Sequence, residues 1–192
     1  MEEAHEEKPK LSIPSIFYKS DTKVPMTNCI DCDYDLWQGD RYYMIEKVFK
    51  KYQELDSIEV LFEYAICSQC YDKMKGGLSA ESMSTLSNYM MNNTDIEGMQ
   101  RRIEEHPSDP EKWLSHCMIK GTEISELNEY QIGACFIGSE LATNFMPPFL
   151  IGGEAMEEIT GLLSKETKDE MDGFIGDHFG IPPELRKDLI LI

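Results

Sequence analysis

Hydrophobic positions along the chain follow a two-residue or aromatic-rich pattern early and a helical one later. Arg41 to Tyr52 (RYYMIEKVFKKY) and Ser57 to Ile66 (SIEVLFEYAI) are dense in aromatic and β-branched residues and predict two strands. Gln53 to Asp56 is the turn that joins them into a β-hairpin. From about residue 70 the spacing becomes helical. Ser79 is a predicted N-cap for a helix with Met83, Leu86, Tyr89 and Met90 on one face. Thr94 with Glu97, Ser108 with Glu111 and Thr167 with Glu170 have capping-box spacing and predict three further helix starts. Pro110 falls in the first turn of the second of these. Gly152-Gly153 leads into another helix, which carries Met156, Ile159, Leu162 and Leu163. Between them, Tyr130 to Ile151 is apolar with Gly133 and Gly138 inside, and predicts one or two buried strands.

The ends are polar or punctuated. Residues 1 to 10 read as a disordered tail, and Leu11 to Lys19 as an extended segment that Pro14 keeps out of a helix. Pro182-Pro183 opens a last short segment, ELRKDLILI. The composition shifts near residue 94, which divides the chain into 11–93 and 94–192. The sequence leaves open whether the two parts share a core; the short linker Met91-Asn-Asn-Thr94 favours close packing. No internal repeat stands out.

Four cysteines carry the clearest chemistry. Cys29-Ile-Asp-Cys32 precedes the first strand, and Cys67-Ser-Gln-Cys70 directly follows the second, where a helix begins. A two-residue gap lets one tight turn present two sulfurs to one ion, and two such turns complete a tetrahedral shell. A closed shell of four thiolates leaves no position for a substrate, so the implied cofactor is a structural zinc. The junction of a strand with a helix N-terminus also favours thiolates. A competing reading makes Cys67 and Cys70 a thiol–disulfide exchange pair, since a CxxC between strand and helix is the usual redox placement.

Knuckle, hairpin, second cysteine pair and helix occur in an order that resembles the treble-clef class of zinc fingers, over roughly residues 26 to 92. That resemblance implies a scaffold with Cys29, Cys32, Cys67 and Cys70 as ligands, and it leaves function open, because such modules dock proteins and nucleic acids alike. The opening Ile13-Pro14-Ser15-Ile16-Phe17-Tyr18 before a cysteine pair is similar to that of the CbrC-like group of colicin-tolerance proteins. The expected fold is α+β: a zinc-bound hairpin and finger packed with a mainly helical C-terminal part.

Charge narrows the partners. The 192 residues hold 36 Asp and Glu against 18 Lys and Arg, a net charge of −18. Such a field repels phosphate backbones and anionic membrane surfaces, so nucleic acid and membrane are unexpected partners and a basic protein is the expected one. The extreme form of this reading is an acidic mimic of nucleic acid. The N-terminus has no apolar leader pattern, and Asn144 to Gly152 is too short to span a bilayer. A cytoplasmic location follows as an expectation, and reduced thiols there suit metal better than disulfides.

The remaining candidates read as structural. Cys117 shares a helical face with Trp113 and Leu114, and Cys135 stands alone. His178 lies among Asp172, Asp177 and Phe179, but no nucleophile accompanies it. Glu154, Glu157, Glu158 and Glu166, Asp169, Glu170, Asp172 lack the loop spacing of a calcium site and read as solvated helix faces. The 12 methionines are core filler or an adaptable groove. The expectation is a non-catalytic, zinc-stabilised interaction protein.

Overall fold

A computed structural model describes residues 10–180. The expected tail (but for Lys10) and the segment after Pro182 lie outside the described residues. The first predicted run forms β1 (Tyr42–Tyr52) and the second β2 (Ser57–Cys67), paired antiparallel from Tyr43–Cys67 to Tyr52–Ser57. Asp56, at φ 45°, closes the turn. A bulge after Val48 leaves Leu61 without an opposite residue, since Phe62 faces Val48 and Val60 faces Phe49.

The 130–151 stretch, expected to give one or two strands, gives three. β3 (Glu129–Ile137) pairs antiparallel with the other edge of β1, and the short β4 (Glu140–Leu141) and β5 (Phe149–Gly152) share the far edge of β3. The strand order is therefore β2-β1-β3, then β4 and β5. Residues from both sides of position 94 build this one sheet. β1 is central, and every residue from Tyr43 to Phe49 is buried.

Alternation along β1 separates two faces. On one, Tyr43 stacks on Phe136, which also meets Phe17 edge-on at 5.3 Å. Phe17 belongs to the N-terminal segment, which Pro14 turns into one 3-10 turn, Ser15–Phe17, rather than a fully extended run. Lys47, also on this face and 3% exposed, donates to the Tyr18 carbonyl at 2.7 Å and pairs with Glu63 at 2.9 Å. Glu63 in turn accepts from the N–H and hydroxyl of Ser20. The segment before the first cysteine is thus tied to the sheet through a partly buried ion pair.

The other face carries Glu46, Phe62 and Tyr64. It is covered by α1 (Ser68–Gly76) and α6 (Lys165–Phe179), with Phe62 against Phe179 and Tyr64 against Phe174 and Phe179. Between these lie α2 (Ala80–Asn93), α3 (Ile96–Glu105), α4 (Pro110–Trp113) and α5 (Gly153–Leu162). The architecture is α+β.

Ser79 caps α2 as predicted, its hydroxyl accepting the Ser82 N–H at 3.1 Å. The other three starts are displaced. Asp95, not Thr94, caps α3, because its carboxylate reaches the Gly98 N–H at 2.9 Å while Thr94 closes α2. Asp109, not Ser108, precedes the single turn α4. Ser164 caps α6, accepting from Thr167 N–H at 3.2 Å, so Thr167 sits buried in the first turn and hydrogen-bonds Ser79 instead. Where several short polar side chains adjoin, the one whose oxygen meets the first free N–H groups becomes the cap, and spacing alone does not select it. Leu162, expected on the apolar side of α5, is 38% exposed.

Candidate metal centre

The four cysteines come from three places in this frame. Cys29 and Cys32 lie on a tight turn. The Cys29 N–H donates to the Tyr34 carbonyl at 3.0 Å and the Asp33 N–H to the Cys29 carbonyl at 2.9 Å, with Asp33 in the left-handed region at φ 57°. The Asp35 carboxylate then accepts from the N–H groups of Trp37 and Gln38 and turns the chain toward β1. Ile30 donates its N–H to the Ala65 carbonyl at 2.9 Å, fastening this turn to the end of β2. Cys67 is the last residue of β2 and stands in the N-cap position of α1; Cys70 is in the first turn.

The result is a single cluster. One ligand atom from each of the four cysteines lies within 4.8 Å of all the others, and among the described residues this is the group of three or more His, Cys, Asp or Glu that meets that condition. The Cys32 and Cys67 sulfurs are 3.8 Å apart. The Cys67 N–H points at the Cys29 sulfur at 3.3 Å. Cys29, Cys67 and Cys70 are buried and Cys32 is exposed. Soft donors in this number and arrangement are positioned to hold a metal ion.

Without a cation the cluster cannot fully ionise. Burial pushes the Cys29 and Cys70 thiols up, and for Cys70 the neighbouring Asp31 carboxylate and the other sulfurs add to it. For Cys67, burial works the same way but is outweighed by the Cys70 N–H and by hydrogen bonds from the other thiols, which bring it down to about 7. Cys67 forms its thiolate readily, while Cys29 and Cys70 resist. A divalent ion held there would supply the charge that lets all four deprotonate.

Beside the cluster lies a cavity of about 300 Å³ bounded by Cys70, Asp31, Lys73, Glu170, Asp177 and His178. His178 sits 3.6 Å from Asp31 and packs on the Phe174 ring at 4.4 Å between centroids. It borders the cysteine cluster without joining it, a closeness that 107 or more residues of intervening chain conceal in the sequence. Cys117 and Cys135 are buried in the core, apart from the four. Of the acidic groups, Glu158 pairs with Lys120 at 2.5 Å, and Glu154 lies 3.7 Å from the same ammonium.

A second buried polar group was not foreseen. Glu46 is fully buried on the helix-covered face, and burial pushes its carboxyl up to about 8, the Tyr64 hydroxyl offsetting part of that rise. Tyr64 donates to one carboxyl oxygen; the other, and the Gln131 amide, have no hydrogen-bond partner among the described residues.

Compared with models of protein families, with curated proteins and with solved structures, the chain shows no match. No helix among the described residues is long and apolar enough to cross a membrane.

Proposed function

We propose that Cys29, Cys32, Cys67 and Cys70 hold one structural zinc ion in a treble-clef finger, and that the protein is a non-catalytic, cytoplasmic interaction protein. The observation that carries this reading is the convergence of four cysteine sulfurs to within 4.8 Å, with no fifth donor among the described residues. A tetrathiolate shell is filled, so the ion's work is structural: it ties the N-terminal turn to the hairpin and to α1. Zinc fits a compact shell of four soft donors, and its lack of redox chemistry suits a site that only fastens elements together.

The net charge of −18 supports a basic protein as partner. Phe145, 70% exposed, stacks on the half-exposed Tyr42 at 5.6 Å beside an apolar cavity of about 380 Å³, and solvent-facing aromatic pairs of this kind suit protein contacts. Metal analysis of protein purified without chelator tests the zinc; a salt-dependent complex with a basic protein tests the partner.

The thiol–disulfide reading keeps two supporting features, the position of Cys67-Ser-Gln-Cys70 at a strand–helix junction and the Cys67 thiol lowered to about 7. Against it, Cys67 is fully buried and Cys70 nearly so, while the exposed sulfur belongs to Cys32. An exchange nucleophile must be reachable by its substrate. Fast alkylation of Cys67 in the native, metal-loaded protein would favour this alternative.

A further inference from the structure

Cys117 has no part in the metal centre, yet its surroundings repeat those of Cys29. The Cys117 sulfur accepts the N–H of Lys120 at 3.4 Å and of Gly152 at 3.3 Å. The Cys29 sulfur accepts the N–H of Cys67 at 3.3 Å, as Cys117 accepts that of Gly152. The Cys117 N–H donates to the Thr122 carbonyl at 2.8 Å and the Gly121 N–H to the Cys117 carbonyl at 2.9 Å, as Cys29 does with Tyr34 and Asp33 with Cys29. Gly121, at φ 68°, occupies the left-handed position of Asp33. The bridge His116–Glu123 closes this turn as Asn28–Asp35 closes the other. Met118 donates to the Leu150 carbonyl at 2.7 Å, as Ile30 does to Ala65. Gly152 ends β5 and stands in the N-cap position of α5, as Cys67 ends β2 and precedes α1.

The sheet obeys the same relation. Tyr130 faces Gly152 where Tyr43 faces Cys67, and Gly133 faces Phe149 where Glu46 faces Tyr64. Because β1 and β3 run antiparallel with Glu46 opposite Gly133, a pseudo-two-fold axis passes through that pair. Under it, the stack of Tyr43 on Phe136 (5.5 Å) and the stack of Phe49 on Tyr130 (4.9 Å) are one contact seen twice.

We infer that residues 116–163 are a second clef, related to the first by this axis, in which the metal site is latent. This rests on the treble-clef reading of the first. Lys120 stands where Cys32 stands, Gly152 where Cys67 does and Ala155 where Cys70 does; Cys117 keeps the remaining ligand position. The metal's fastening role passes to charge: the Lys120 ammonium, on the turn, pairs with Glu158 and Glu154 of α5, and the Tyr89 hydroxyl donates to Glu158 at 2.5 Å. A cation still joins turn to helix, but a side chain supplies it. The ligand class this site would take, once its thiols are restored, is a soft divalent ion.

The test restores them. A β-carbon at Gly152 would lie 2.8 Å from Leu127 Cδ2, the end of a flexible side chain, so the variant combines Lys120→Cys, Gly152→Cys and Ala155→Cys with Leu127→Ala. Cobalt(II) is the probe, read by its thiolate charge-transfer absorption. The wild type binds one cobalt per chain and the variant two, with a doubled band. A wild type that binds none refutes the first site; a wild type binding one and a folded variant also binding one refutes the second clef alone, as does a variant that fails to fold with metal present. A smaller change checks the geometry without metal at the new site. The Cys32 and Cys67 sulfurs are 3.8 Å apart, so Lys120→Cys with Gly152→Cys, zinc-loaded, closes to a disulfide under oxidised glutathione, detected by mass. A folded double variant that keeps both new thiols reduced overturns the inference.

Discussion

The N–H of Cys67 aims at the sulfur of Cys29 across 3.3 Å, joining the turn before β1 to the start of α1. That N–H favours the Cys29 thiolate but burial opposes it more strongly, and three further sulfurs lie within 4.8 Å. Replacing Cys29 by Ser removes one of the four proposed ligands and leaves three clustered thiols. The expected result is loss of bound metal and a drop in unfolding free energy of at least about 3 kcal/mol, measured by urea denaturation. A variant with full metal content and wild-type stability would show that Cys29 is not a ligand.

Glu46 gives the fold a pH dependence of definite sign. Its carboxyl titrates at about 8 in the folded chain, against an ordinary value of 4.5. Between those values the folded chain holds a proton that the unfolded chain has released. Stability therefore falls as pH rises through this window, by up to about 1.4 kcal/mol per pH unit from this group, and levels off above it. Glu46→Gln removes this contribution, so the variant gains on the wild type steadily from about pH 5 to 8 in paired urea titrations. A constant difference across that range would place the carboxyl's titration elsewhere.

Gly133 is required by Phe149. A β-carbon there would lie 2.3 Å from the Phe149 ring. Gly133→Ala forces the ring or the strand to move inside a buried sheet, with an expected cost of about 1–3 kcal/mol by chemical denaturation. A variant as stable as the wild type would mean that this face of β3 is loosely packed.

His178 borders the cysteine cluster through Asp31 but holds no ligand position. Its contact with Asp31 is a partly exposed pair at 3.6 Å. His178→Ala is expected to change stability by less than about 1 kcal/mol and to leave metal stoichiometry unchanged. Loss of metal in that variant would make His178 a participant in the site.

The hairpin, the cysteine pairs and the helix after Cys70 were legible because each rests on local pattern: β-branched runs, a two-residue cysteine gap, a change of period. The helix starts at Asp95, Asp109 and Ser164 were missed by one to three positions, because Asp, Ser and Thr stand in series there and backbone geometry chooses among them. The pseudo-two-fold relation left little trace in residue types. Tyr43 with Tyr130 and Phe49 with Phe136 match, but Glu46 corresponds to Gly133 and Cys67 to Gly152. What repeats is a set of backbone hydrogen bonds, which no residue count displays. Glu46 itself reads as one polar position in an alternating strand; only the pairing of β3 beside β1 and the helices above it make it buried.

The central claim is a single structural zinc on four thiolates. Elemental analysis of protein purified without chelator, combined with a count of reactive thiols before and after chelation, tests it most directly. The expected result is about one zinc per chain, with Cys29, Cys32, Cys67 and Cys70 unreactive until the metal is stripped. Protein that carries no metal and presents one or two fast-reacting thiols among those four would contradict it and move the exchange reaction at Cys67 and Cys70 to first place.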